Sequence, residues 1–215
     1  MSVASRSIRR LGTALAIAFA GVSAQATVIY DNFGPGNSAG PIGLIVQGPS
    51  VGTIADVDQA VQVTLGATAY TLTDVLLGLS AGSQGGGGIR VIIAADSGGL
   101  PGAELAHTDV TLADGQVNVL AAFSLALAAN TSYWVVADSL GSFDGSWLEN
   151  STGASGPSAG RSNGGAWSLH ANADDMFAVR LDGRTSRDQP TGLPEPGTLA
   201  LAALTLVGLW LARCR

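Results

Sequence analysis

Apolar residues in the body of this chain recur at every second position, in short runs closed by glycine, asparagine or Asp-Gly. A strand turns alternate side chains to opposite faces, so such runs specify strands with one buried face and do not specify amphipathic helices. In residues 176–181, Phe177, Val179 and Leu181 share the core face, and Asp182-Gly183 is expected to end the strand. Ile89, Val91 and Ile93 alternate after the glycines at 85–88, and Val61, Val63 and Leu65 alternate with Gln62 and Thr64. Residues 70–79 form a longer strand whose apolar phase shifts near Asp74, which predicts a bulge. Residues 133–137 are apolar on both faces, as in a strand covered from both sides.

Further strands are expected at 28–33, 104–112, 116–123, 145–149 and 166–169. Residues 121–129 have a helical composition, but the Asn130-Thr131 turn that follows favours an extended run. Many short strands between such turns predict an all-β chain, an antiparallel β-sandwich of jelly-roll type. The Gly/Ser-rich stretch 151–165 reads as a long flexible loop, and 184–193 as a linker.

Both ends depart from this pattern. Arg6, Arg9 and Arg10 precede an apolar stretch at 11–21, and Ala24-Gln25-Ala26 supplies a small-x-small cleavage site. This is the order of an export signal peptide spanning 1–26, with a short helix, and it predicts a mature chain starting at Thr27. At the other end, Pro194-Glu195-Pro196-Gly197 is followed by apolar residues to Ala212 and then by Arg213-Cys214-Arg215. Two prolines keep the first segment extended and open to a processing enzyme. As a helix, the apolar run reaches about 22 Å, short of a hydrocarbon core of roughly 30 Å, so the terminal arginines would snorkel to one side. The expected organisation is a leader (1–26), a β-rich ectodomain (27–183), a linker (184–193) and a hydrophobic tail (194–215).

Charge narrows the function classes. Residues 27–193 hold thirteen Asp and two Glu against five Arg, and the whole chain has no lysine. Such a surface repels phosphate backbones, which excludes nucleic acid as a partner. Lysine-dependent Schiff-base chemistry and P-loops are excluded as well. The single cysteine, Cys214, lies in the tail, so neither a disulfide nor a thiolate zinc site can brace the body.

The motifs for chemistry are sparse. Gly78-Leu79-Ser80-Ala81-Gly82 matches Gly-x-Ser-x-Gly, but a nucleophile elbow needs a helix next, and glycines follow instead. His107 and His170, the only histidines, have no spacing to an acid or serine that favours a triad, and solvated positions at strand edges are expected. No catalytic residue and no metal ligand set is assigned. Calcium stays open through the paired acids Asp56-Val57-Asp58 and Asp174-Asp175, although neither pair sits in a calcium-loop pattern. Among the tryptophans, Trp134 is expected in the core. Trp147, beside Asp144-Gly145, and Trp167, after the Gly/Ser stretch, are the candidates for exposed glycan contact.

The Pro-Glu-Pro segment, apolar run and terminal arginines, in that order, resemble the PEP-CTERM sorting signal of Gram-negative bacteria. The resemblance implies recognition of Pro194, Glu195 and Pro196 by a membrane-embedded exosortase, cleavage nearby, and cargo associated with exopolysaccharide or biofilm. The body resembles the β-rich choice-of-anchor ectodomains that carry such tails, type R in particular. The resemblance rests on Tyr70-Thr71-Leu72-Thr73-Asp74-Val75, on the turn from Asp96 to Gly102, and on the run from Leu127 to Trp134. The expectation is a non-enzymatic exported protein, held in the inner membrane as a precursor and then presented at the cell surface or in the extracellular matrix. A carbohydrate-binding module is the second reading and a secreted hydrolase the third.

Overall fold

The period-two runs become strands, and among the described residues there is no helix. The computed structural model describes residues 26–49, 51, 56–82, 87–113, 115–171 and 176–185. The leader up to residue 25 with Ala24, the linker from 186, and the tail with Pro194, Glu195, Pro196, Gly197, Arg213 and Arg215 lie outside the described residues. So do the two terminal helices expected there, and Asp174 and Asp175.

Twelve strands follow one another: β1 (Thr27–Asp31), β2 (Ala39–Gln47), β3 (Val57–Thr64), β4 (Tyr70–Ala81), β5 (Gly88–Asp96) and β6 (Pro101–Thr111). The second half supplies β7 (Val117–Leu127), β8 (Ser132–Leu140), β9 (Asp144–Asn150), β10 (Ser158–Ser162), β11 (Ser168–Leu169) and β12 (Val179–Thr185). All pair antiparallel in one sheet of order β1-β12-β4-β9-β2-β3-β8-β5-β6, with β7 beside β4, β10 beside β3 and β11 beside β10. The sheet curls on itself, and β6 meets β7 where the Thr108 hydroxyl donates to the Ala122 carbonyl at 2.6 Å.

Curling brings opposite inner faces into one core. Val61 and Val63 of β3, Val135 of β8 and Ile89, Val91 and Ile93 of β5 pack in one buried cluster with Leu72, Val75, Leu77 and Leu79 of β4 and Val179 and Leu181 of β12. The expected bulge is present. Between Asp74 and Leu72 the register of β4 slips against β12, and Thr73 is left over. The slip moves Leu72 and Val75, three apart, onto the same face, which a regular strand forbids.

Trp134 and Val136 point away from that core, as the two-sided pattern of 133–137 predicts. With Ala60, Ile92, Ala94 and Ala159 they form a second buried cluster on the outer face of β3, β8 and β5, packed by Leu100 and Trp167. The turn after β5 folds Leu100 back, with Gly98 and Gly99 at φ 66° and 83°, where a side chain would be strained.

Three expectations need correction, and one strand, β2, was not expected. The Asp182-Gly183 pair does not stop its strand: β12 continues to Thr185, so Arg184 and Thr185 belong to the sheet and not to the linker. Gly183 is needed there because a Cβ would lie 2.6 Å from the Thr71 carbonyl oxygen. The stretch 151–165 is not all loop, since β10 within it pairs with β3 from Val57 to Val61. β2 carries no clean alternation because Gly40, Pro41 and Gly43 interrupt it, and its pairing with β9 is irregular between Ala39 and Gly43. Lastly, Trp147 is 0 % exposed. It stacks on Phe177 at a ring separation of 5.0 Å and donates from Nε1 to the Ala178 carbonyl at 2.9 Å. β9 inserts between β2 and β4, which turns Trp147 inward despite its polar neighbours and removes it as a glycan contact.

Candidate functional site

A pocket of about 160 Å³ opens on the outer face of the sheet, over the second apolar cluster. Its floor is Ile92 and Ala94 of β5 and Val136 of β8. Alternation explains the placement: their neighbours Val91, Ile93 and Val135 fill the main core, so these three must face the other side. Pro101, Gly102 and Glu104 of β6 form one wall, and the β10–β11 arm forms the opposite one with Arg161 and Trp167.

Arg161 organises the polar side. Its Nε donates to Asp58 Oδ2 at 2.7 Å, its Nη2 lies 3.9 Å from Asp138 Oδ1, and the guanidinium carbon sits 4.7 Å from the Trp167 ring centroid. Stacking and pairing together fix a long side chain that would otherwise sample many rotamers. Asp58 is 1 % exposed; its Oδ1 also accepts from the backbone N–H of Ser139 at 3.2 Å. The Ser139 hydroxyl lies 2.7 Å from the Gln47 carbonyl oxygen and 3.0 Å from Asp56 Oδ1. The Asp56-Val57-Asp58 pair is thus built into an internal network in which a guanidinium supplies the positive charge. Among the described residues, no group of three or more His, Cys, Asp or Glu is arranged to hold a metal ion.

Asp138 is half-buried between Asp58 and the pocket. Burial, reinforced by the Asp58 carboxylate, raises its pKa from 3.8 to about 6, while Arg161 and Arg90 pull the other way. A raised acid holds its proton more tightly when folded, so this group lowers stability as pH rises from about 4 to 6, and the deficit persists above. Asp138→Asn removes the buried charge and keeps a donor toward Asp58. It is expected to raise Tm at pH 7 by about 3 °C, from roughly 1 kcal/mol after allowance for solvent screening. The gain should vanish at pH 4, and thermal melts of both proteins across that range check it. At the far end of the same face, the Trp134 indole N–H donates to Asp96 Oδ1 at 2.9 Å and, foremost among its partners, holds that carboxyl below its ordinary value.

The chain matches no protein-family model and no curated protein sequence.

The remaining sequence candidates do not gather there. Ser80 lies within β4, paired with Ser146 and Val117, and the strand runs on to Ala81 with no helix after it among the described residues. Gly78, the first glycine of its motif, is a packing residue: a Cβ would come 2.8 Å from that of Ala178. His107 is exposed, with Nδ1 2.6 Å from Glu104 Oε1, as a solvated edge position predicts. His170 is instead part-buried, its Nε2 2.9 Å from Gln59 Oε1. Trp167, one of the two proposed glycan contacts, lines the pocket, and Trp147 does not. Sequence reading missed Arg161 and Asp138. The available signal was the arginine itself, a lone cation in a Gly/Ser stretch of a body without lysine.

Proposed function

We propose that the chain is a non-enzymatic exported protein, sorted by an exosortase through its C-terminal tail and presented at the cell surface or in an extracellular matrix linked to exopolysaccharide. The observation that carries this reading is the ordered tail: Pro194-Glu195-Pro196-Gly197, an apolar run, then Arg213 and Arg215. The leader ending in Ala24-Gln25-Ala26 supports it. Further support comes from the strands, which begin at Thr27 and run to Thr185, inside the span between the two address segments. Within this reading the inner membrane is a transient partner of the precursor, and the curled sheet is a two-layered jelly-roll-like sandwich. Acidic surface and absent lysine fit a protein kept away from nucleic acid.

Replacing Pro194, Glu195 and Pro196 together by alanine is expected to leave a membrane-retained precursor with an intact C-terminus. Mass spectrometry of both chain ends from fractionated cells reads this out. Release of the variant as efficiently as the parent would overturn the sorting assignment.

A second reading, a carbohydrate-binding module of the matrix, is favoured by one observation: Trp167 stands at the rim of a concave site that also carries a guanidinium and carboxylates. Aromatic walls with a few convergent polar groups are the usual make-up of small-ligand sites.

A further inference from the structure

The pocket beneath the β10–β11 arm has a size, a shape and a charge sign, and together these narrow its ligand. At about 160 Å³ it is smaller than the roughly 300 Å³ at which drug-sized ligand sites begin, so it accommodates one small ring and not a chain lying along a groove. Its floor of Ile92, Ala94 and Val136 offers an apolar surface to a ring face, while its walls are polar. Trp167 is already stacked by Arg161, so the indole and guanidinium stand as one rigid wall.

Charge decides which ring. Arg161 is committed to Asp58 at 2.7 Å and stands 3.9 Å from Asp138, while Glu104, with Oε1 2.6 Å from His107 Nδ1, adds a third carboxylate at the opposite rim. Asp58, Asp138 and Glu104 outnumber the nearby guanidiniums of Arg161 and of Arg90, which lies across from Asp138 and is paired with Asp109 at 2.7 Å, within a body that carries ten excess negative charges over residues 27–193. An anionic sugar such as a uronate would be repelled by this field, and a neutral one would be indifferent to it. A cation would be drawn in. Asp138 is the acid best placed to meet it. Its side chain keeps 21 % of its surface exposed, and its ion pair with Arg161 is a long one.

We propose that this pocket binds a single amino-sugar unit of a polysaccharide, with the ring over Ile92, Ala94 and Val136, the Trp167 wall beside it, and its ammonium between Asp138 and Glu104. The proposal rests on the carbohydrate-binding reading above and is independent of how the tail is processed. The ammonium replaces water at Asp138 with a charge-assisted hydrogen bond.

The test is isothermal titration of the chain as released by cells, with four probes: glucosamine oligosaccharide, its N-acetylated form, a polyuronate, and Nα-acetyl-lysine amide. Saturable binding is expected for the first, about tenfold weaker binding for the N-acetylated form, and none for the polyuronate. Asp138→Asn, which preserves shape and is expected to fold, should reduce glucosamine affinity about tenfold and leave the N-acetylated probe unchanged. Trp167→Ala should weaken both sugars, with a melting curve to show that the variant is folded. Equal binding of the two sugars, with both sensitive to Trp167→Ala, overturns the amino-sugar assignment and leaves carbohydrate binding standing. Binding of the lysine derivative as tightly as the sugar points to a protein partner and overturns the ring. Flat titrations for every sugar overturn both.

Discussion

Trp147→Ala is expected to lower Tm by about 10 °C or more, the largest loss from any single aromatic of the sheet. The indole is fully buried, stacked on Phe177, and bonded through Nε1 to the Ala178 carbonyl. Truncation opens a cavity at a junction where β9 touches both β2 and β4, and it removes one of two hydrogen bonds to the Ala178 carbonyl, leaving the one from the Gly78 N–H. Removing a buried tryptophan costs about 3–5 kcal/mol, and at this size each kcal/mol shifts Tm by about 2–4 °C. Trp147→Phe retains the stack and loses the hydrogen bond, so it should cost about 1–2 kcal/mol. Differential scanning calorimetry of the pair separates packing from bonding. A Tm within 2 °C of the parent for the alanine variant would place Trp147 at the surface and reverse the burial described above.

Arg161→Ala is expected to cost about as much, for an electrostatic reason. Asp58 would stay buried without its guanidinium, and breaking a buried pair from one side typically costs about 3–5 kcal/mol. Trp167 would also lose its stacking partner. Asp58→Asn combined with Arg161→Met removes the stranded charge and should recover much of the stability. Urea denaturation of the three proteins measures the coupling. If the double variant is no more stable than Arg161→Ala, the cost came from packing and the ion-pair argument fails.

Where backbone periodicity and side-chain chemistry agreed, the fold could be read from the chain. The faces of Phe177, Val179 and Leu181, the two-sided strand around Trp134 and the phase shift beside Thr73 all follow from alternation alone. Local polarity misled at Trp147, because Asp144, Gly145 and Ser146 describe the strand's neighbours in sequence, whereas burial is set by β2 and β4 on either side. β10 was hidden for a related reason. Its Ser-Ala-Gly-Arg-Ser composition lacks β-branched residues because it lies tight on β3, where a Cβ at Gly160 would come within 3.0 Å of Gln59 Oε1. The pocket was half legible. Trp167 could be nominated from its sequence context, but the partners from β3, β5 and β8 lie some 30 to 100 residues away, and no local pattern records that distance.

The position of β12 between β1 and β4 also has a mechanical meaning. Thr27 lies opposite Gly183, so the first strand is zipped along the last, and the Asn32 side chain ties the two together through Phe177 and Val179. Traction applied at Thr185 along the strand axis would act across rungs that lie perpendicular to it, straining the seven pairs with β4 together instead of peeling them one by one. A strand gripped on both flanks in this way is suited to act as a tether point, able to hold the domain against drag.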